Sequence, residues 1–257
     1  MHLPADVWYA PSLHFSSLAQ PRVHSIQILP LCPAAEAALT AEFKNHRVYK
    51  TYVALSLGVT PAHGRIDVKL KTISTTERHF AVPHPGGKEA VTEFKRVAVV
   101  QQQAPSMEHD VADDDISGAY SLLLVKPITG RMHQIRAHLN HIGHPLDGDG
   151  RCALCPQLLH FVYKPTAMSR RYAPHRQGPQ TSCASWLFLH SASICASFAT
   201  CSGEDAGQRV WHNVCAASEL PPQLKQRLAA LGGDEVGVEV AAAIQQDVTC
   251  SAASLSH

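Results

Sequence analysis

Two guanidiniums, Arg131 and Arg136, stand close together in SLLLVKPITGRMHQIRAHLNHIGHPLDGD, residues 121–149, with His133 between them. Arginines grouped this way can grip phosphates, or hold a carboxylate through paired N–H donors. The alternative is a solvated cationic face. The stretch predicts a helix with Arg131 in its first turn, where a cation opposes the helix dipole. Sequences accept such a conflict where something else needs the charge.

The elements that must position these residues can be read from periodicity. An apolar run, Ser121 to Val125, has strand character and stops at Pro127. Beyond the Ile128-Thr129-Gly130 turn, Met132, Ile135, Leu139 and Ile142 recur as one apolar helical stripe, while His133, Arg136 and Asn140 line another face. Gly143 sits where a helix end favours a residue without Cβ strain. Earlier, Ser25–Leu31 alternates as a short strand. Pro33 opens a helix with Leu39 and Phe43 on one side and Lys44, His46 and Arg47 at its end. The strand VYKTYVALSLG places Val53, Leu55 and Leu57 on one face and Tyr52, Ala54 and Ser56 on the other. Turn clusters at 61–64 and 83–87 separate short strands. A second helix starts at Pro221-Pro222, buries Leu224, Leu228 and Leu231, and stops at Gly232-Gly233. Strands and helices without βαβ alternation predict an α+β fold.

The motif TGR-x-HQIR-x-H followed by GHP-x-x-GD resembles the RluA-type pseudouridine synthases, which isomerise uridine to pseudouridine in ribosomal and transfer RNA. FKNHRVYKTYVALSLG (43–58), GGKEAVTEF (86–94), FLHSA (188–192) and ELPPQLKQRLAAL (219–231) extend the resemblance over roughly residues 25–231. It implies a bent, mixed but mostly antiparallel sheet flanked by helices, with an RNA cleft across one face. It also implies no metal and no organic cofactor. Three side chains would dominate the site: an aspartate acting on the ribose, a tyrosine stacked on the base, and a basic partner of the aspartate. Tyr52 stands at the tyrosine position of K-x-Y, its ring covering uracil and its hydroxyl set to take the C5 proton. Arg136 is the basic partner. Arg131, His133, Lys50, Arg47 and Lys44 are assigned to RNA contact, with a packing role as the alternative for His133.

The aspartate is missing. The family carries it in H-R-L-D-x-x-T-S-G ahead of the tyrosine, and no such string occurs here. Counting back without gaps from Phe43, its place falls near Gln20, and only Asp6 precedes Glu36 among the carboxylates. An amide is not a nucleophile for this chemistry. Two readings stay open: a truncated or mistaken gene model of an isomerase, incomplete or inactive as given, or a non-catalytic RNA-binding homologue on the same fold.

Composition adds bounds. The formal net charge of +1 confines RNA contact to local patches, which also include Lys69, Lys71 and Arg78, and Arg170, Arg171 and Arg176. Eight irregularly spaced cysteines fit a reducing, intracellular compartment, cytoplasm or organelle, and the N-terminus could hide a transit peptide. No apolar run approaches the roughly 18 residues of a membrane span. Residues 1–24 read as an irregular leader, 25–231 as one domain with a Cys/His/Arg-rich insert at 151–185, and 232–257 as a tail; a monomer is expected. Cys152 and Cys155 have a zinc-like spacing, but the second half lacks a paired set, so no metal is expected.

Overall fold

A computed structural model describes residues 7–13, 22–74, 79–101, 118–149, 186–201, 209–233 and 235–254. The insert at 151–185, with Cys152, Cys155, Arg170, Arg171 and Arg176, lies outside the described residues, as do Arg78 and Asp113–Asp115.

The strands are β1 (Val7–Leu13), β2 (Arg22–Pro30), β3 (Tyr49–Leu57), β4 (His63–Asp67), β5 (Leu70–Ser74), β6 (His79–Pro83), β7 (Val91–Gln101), β8 (Ala119–Pro127), β9 (Trp186–Cys201) and β10 (Arg209–Ala217). The helices are α1 (Pro33–Lys44), α2 (Gln134–His141), α3 (Pro222–Ala230) and α4 (Val236–Ser254). Eight strands form one sheet in the order β1-β2-β9-β3-β8-β7-β4, with β10 also paired to β9, while β5 and β6 make a separate hairpin. The β2–β9 pairing is parallel and the other ladders are antiparallel. The α+β expectation holds.

Strict alternation makes β3 the organising strand, because each of its residues must choose a side of the sheet. Val53 and Leu55 enter a core with Leu122, Leu124, Leu224, Leu228, Leu231, Val240 and Ile244, against which Leu57 packs. Ala54 enters a second core with Leu123, Val125, Ile135, Leu139 and Leu146, against which Tyr52 packs. α3 and α4 therefore cover one face and α2 the other. A third core, around Leu39, Val48, Ile194 and Phe198, joins α1 to β9. At α1, Pro33 takes the first helical turn as expected, and Cys32 is the N-cap, its sulfur accepting from the Ala35 amide at 3.5 Å. Phe43, expected to be covered beside Leu39, is 42% exposed.

Three expectations give way. Part of the leader is a strand, since β1 pairs antiparallel with β2 from Val7↔Pro30 to Leu13↔His24. Pro11, which supplies no amide hydrogen, is tolerated because β1 lies at the sheet edge. The tail contains α4: after the glycine pair, Val240 and Ile244 recur at helical spacing and bury on the α3 side. Among the cysteines, Cys195 and Cys215 are disulfide-bonded, because register sets them directly opposite on β9 and β10. Their sequence spacing gave no hint of this.

Leu224, Leu228 and Leu231 are each 1% exposed and weld α3 to the sheet. Leu228→Ala removes most of one buried side chain and leaves a cavity, so urea unfolding should show a loss of about 2–5 kcal/mol.

Candidate RNA-modification site

The site grows from the link between β8 and α2. β8 ends at Pro127, and its ladder with β3 begins with the pair Tyr52↔Val125. From there the chain turns through residues 128–133 before α2 starts at Gln134. Arg131 therefore lies before the helix, not in its first turn, and the cation inside the first turn is Arg136. Arg131 Nε donates to the Glu89 carbonyl at 2.9 Å, which ties it to the GGKEAVTEF segment. Met132 lies ahead of the helix too and is 37% exposed, so the buried stripe begins with Ile135. His133 caps α2 with a left-handed backbone, φ 51°, a conformation histidine tolerates better than most residues.

Gln134 holds this turn in place. Its side-chain oxygen accepts from the Thr129 hydroxyl at 2.7 Å and the Arg131 amide at 2.9 Å. Its amide nitrogen donates to the Val91 carbonyl at 2.9 Å and to Thr92 Oγ1 at 3.0 Å. Thr92 passes its own proton to His138 Nδ1 at 2.9 Å, and His138 Nε2–H donates to the Val68 carbonyl, also at 2.9 Å. A carbonyl only accepts, so the neutral tautomer is fixed by its partners. At its far end α2 closes with Gly143 at φ 88°; the Gly143 amide bonds Asn140 O at 3.1 Å and the His144 amide bonds Leu139 O at 2.9 Å. That pair is a Schellman cap, as the glycine predicted.

Arg136 lies in the first turn of α2, not at its middle, and is 6% exposed. Its Nε and Nη2 donate to the two oxygens of Asp149 at 2.8 and 2.5 Å. A carboxylate does hold Arg136, as expected, but it comes from the GHPLDGD segment. Asp147, two residues earlier, accepts from Arg227 Nε of α3 at 2.8 Å, and Arg227 Nη2 donates to the Tyr120 hydroxyl at 2.9 Å. Between the two aspartates Gly148 has φ 76°, and a Cβ there would meet the Trp186 carbonyl oxygen at 1.9 Å. One tight turn thus binds the helices on both faces of the sheet. Sequence reading had Asp149 as a motif letter and Asp147 as a variable position of GHP-x-x-GD, and missed both pairings, which depend on tertiary approach.

Tyr52 and Lys50 occupy the strand beside this turn. Tyr52 packs on the core that holds Ile135 and Leu139 of α2. Burial raises its phenol pKa above the usual range, partly offset by a hydrogen bond with Ser191. The phenol is therefore neutral at physiological pH. Burial lowers the Lys50 ammonium pKa, and a Cβ on Gly130 would come within 3.8 Å of its Nζ. Lys50 thus approaches the turn that carries Arg131 and His133, and Tyr52 packs on the core of α2, which carries Arg136. Arg47 and Lys44 lie at the exposed end of α1, and Arg47 is engaged by Glu42 through bonds of 2.6 and 2.7 Å.

Two outcomes follow. Asp149→Ala leaves a buried guanidinium without its carboxylate and should cost about 3–5 kcal/mol in denaturant unfolding, with Arg136→Met plus Asp149→Leu recovering most of that loss. Burial also lowers the pKa values of His138, His141 and His144. A histidine with a depressed folded value binds protons sooner when unfolded, so stability falls on acidification through the ordinary histidine range. The melting temperature should drop between about pH 7 and pH 5, less steeply in His138→Gln.

Comparison with known proteins fits this site. The family described as RNA pseudouridylate synthase matches residues 26–141, which include Tyr52, Arg131 and Arg136. A tRNA pseudouridine synthase C from Pectobacterium carotovorum is 32% identical over 125 residues, 48% of this chain and 32% of the relative. A ribosomal large subunit pseudouridine synthase D from Yersinia pestis is 35% identical over 115 residues, 45% of this chain and 30% of the relative. The chain thus spans about a third of the length of these curated relatives. The solved structure of human RNA pseudouridylate synthase domain containing 4 shares the fold at 17% identity, with a TM-score of 0.51 over 82% of this chain and 72% of that one. Residues 26–141 of the chain are thus similar to the RNA pseudouridylate synthase family.

Proposed function

We propose that this domain takes an everted uridine of structured ribosomal or transfer RNA against Tyr52, as a monomer. The supporting observation is that Tyr52 packs on the core formed with Ile135 and Leu139 of α2, the helix that carries Arg136. Isomerisation requires breaking the N1–C1′ bond, turning the uracil and joining C5 to C1′. The base must first leave its stack, which costs a few kcal/mol that protein contacts recover. The Tyr52 ring supplies a stacking surface, and its hydroxyl would take the C5 proton only while passing its own proton on to an acceptor. Lys50, Arg131 and His133 would meet ribose and phosphate. Arg136 would act on the ribose through a carboxylate.

Asp149 does not replace the H-R-L-D aspartate. Its side chain is 1% exposed and both oxygens are bound by Arg136, which leaves it positioned to brace the arginine rather than attack a sugar. The same pairing favours the second reading, an RNA binder without turnover, because Arg136 is already satisfied. Under both readings the 257 residues bind structured RNA with an affinity that falls as salt rises.

Tritium release from C5-labelled uridine in bulk RNA separates them. The polypeptide itself should release no tritium. Replacing residues 1–24 with an H-R-L-D-bearing segment should start release if the site is an isomerase, and Tyr52→Phe should then cut it by about 10²–10⁴-fold with RNA affinity nearly unchanged. Silence after replacement, with salt-sensitive RNA binding intact, would select the non-catalytic reading. RNA affinity indifferent to salt would reject both.

A further inference from the structure

α4 lies beyond the family-matched segment and sits on the face of the sheet opposite Tyr52. One of its side chains nevertheless reaches the strand pair that carries Tyr52. Asp247, 11% exposed at its side chain, accepts a hydrogen bond from Thr51 Oγ1 and pairs with Lys126 Nζ. Thr51 precedes Tyr52 on β3, and Lys126 follows Val125, the residue opposite Tyr52 on β8. The carboxylate therefore spans the two strands one position past the last pair of their ladder.

No β3–β8 pair reaches that position, where Thr51 pairs with Ser193 of β9 and Lys126 with Glu93 of β7. The β3–β8 register ends at Tyr52↔Val125, and β8 stops one residue after Lys126, at Pro127, which has no amide hydrogen to donate. On its other edge, β3 changes register against β9 between Thr51 and Tyr52, with Thr51 opposite Ser193 and Tyr52 opposite Ser191. The extra residue, Ala192, is on β9, and a bulge of this kind locally disrupts the ladder that Thr51 and Tyr52 share with that strand. Tyr52 thus sits at the last pair of the β3–β8 ladder and beside a register shift in the β3–β9 ladder, so backbone pairing alone sets its direction less firmly than mid-ladder.

We infer that Asp247 is a positioning residue: from the back of the sheet it clasps Thr51 to Lys126 and so fixes the aim of the Tyr52 ring and the start of the turn to Arg131. The importance of that ring rests on the function proposed above, but its placement does not, so the test needs no RNA. The whole chain is labelled with tyrosine carrying ¹³C at Cζ; of its six tyrosine signals, the one lost in Tyr52→Phe is assigned to Tyr52. Asp247→Ala should shift or broaden that signal and move its ionisation midpoint, while Gln246→Ala on the same helix leaves it in place. Thr51→Val, which removes one arm of the clasp and leaves the apolar docking of α4 intact, should shift the same signal and serves where Asp247→Ala does not fold. A Tyr52 signal at its wild-type position and midpoint in folded Thr51→Val and Asp247→Ala would overturn the assignment. No tritium release after the segment replacement, beside a shifted Tyr52 signal, would instead count against the isomerase reading alone.

Discussion

The buried ion pair between Arg136 and Asp149 is the constraint on which the rest of the site depends. An arginine that is 6% exposed keeps its charge and needs a close partner to offset the loss of water, and the bidentate carboxylate meets that need. Meeting it fixes the path of the chain after α2. The segment from His144 to Asp149 lies along the end of β3, with Leu57 N bonded to Pro145 O and Asp147 N to Leu55 O, each within 2.9 Å. Gly148 then turns under the Trp186 carbonyl, and Asp147 reaches Arg227 on the opposite face. The helix that carries the arginine, the strand that carries the tyrosine and the helix behind the sheet are thereby joined within a few residues.

The polar network under α2 complements that pair. Gln134, Thr92, Thr129 and His138 form a relay in which each donor meets an acceptor, so the polar groups packed beneath the helix carry no desolvation penalty from unmade bonds. Relays of this kind give a unique geometry, because a shift of one partner leaves its neighbour unsatisfied. In this segment the motif letters between the two arginines therefore serve the shape of the site more than contact with substrate.

What could be read from the chain follows from how local each cause is. The two faces of β3 were legible because alternation is a property of the strand itself, and Tyr52 and Val53 fall on the predicted sides. The α3 leucines and the Gly143 cap were legible for the same reason. The start of α2 was misplaced because a side chain, Gln134, ties Arg131 into a turn that helical periodicity does not reveal. α4 was hidden by the glycine pair before it and by a composition that reads as a tail. The contacts that decide the site span distance: Arg136 to Asp149 across 13 positions, Arg227 to Asp147 across 80 and Thr51 to Asp247 across 196. No pattern in a single sequence encodes them.

The proposed function requires Tyr52 and the α2 turn to share one face on which a flipped pyrimidine is held. A structure of the protein with a uridine-containing RNA stem-loop tests this most directly. The expected result is a uracil ring stacked on Tyr52, with phosphates near Arg131. RNA seated instead on the α3–α4 side, with the Tyr52 ring untouched by any base, would contradict it.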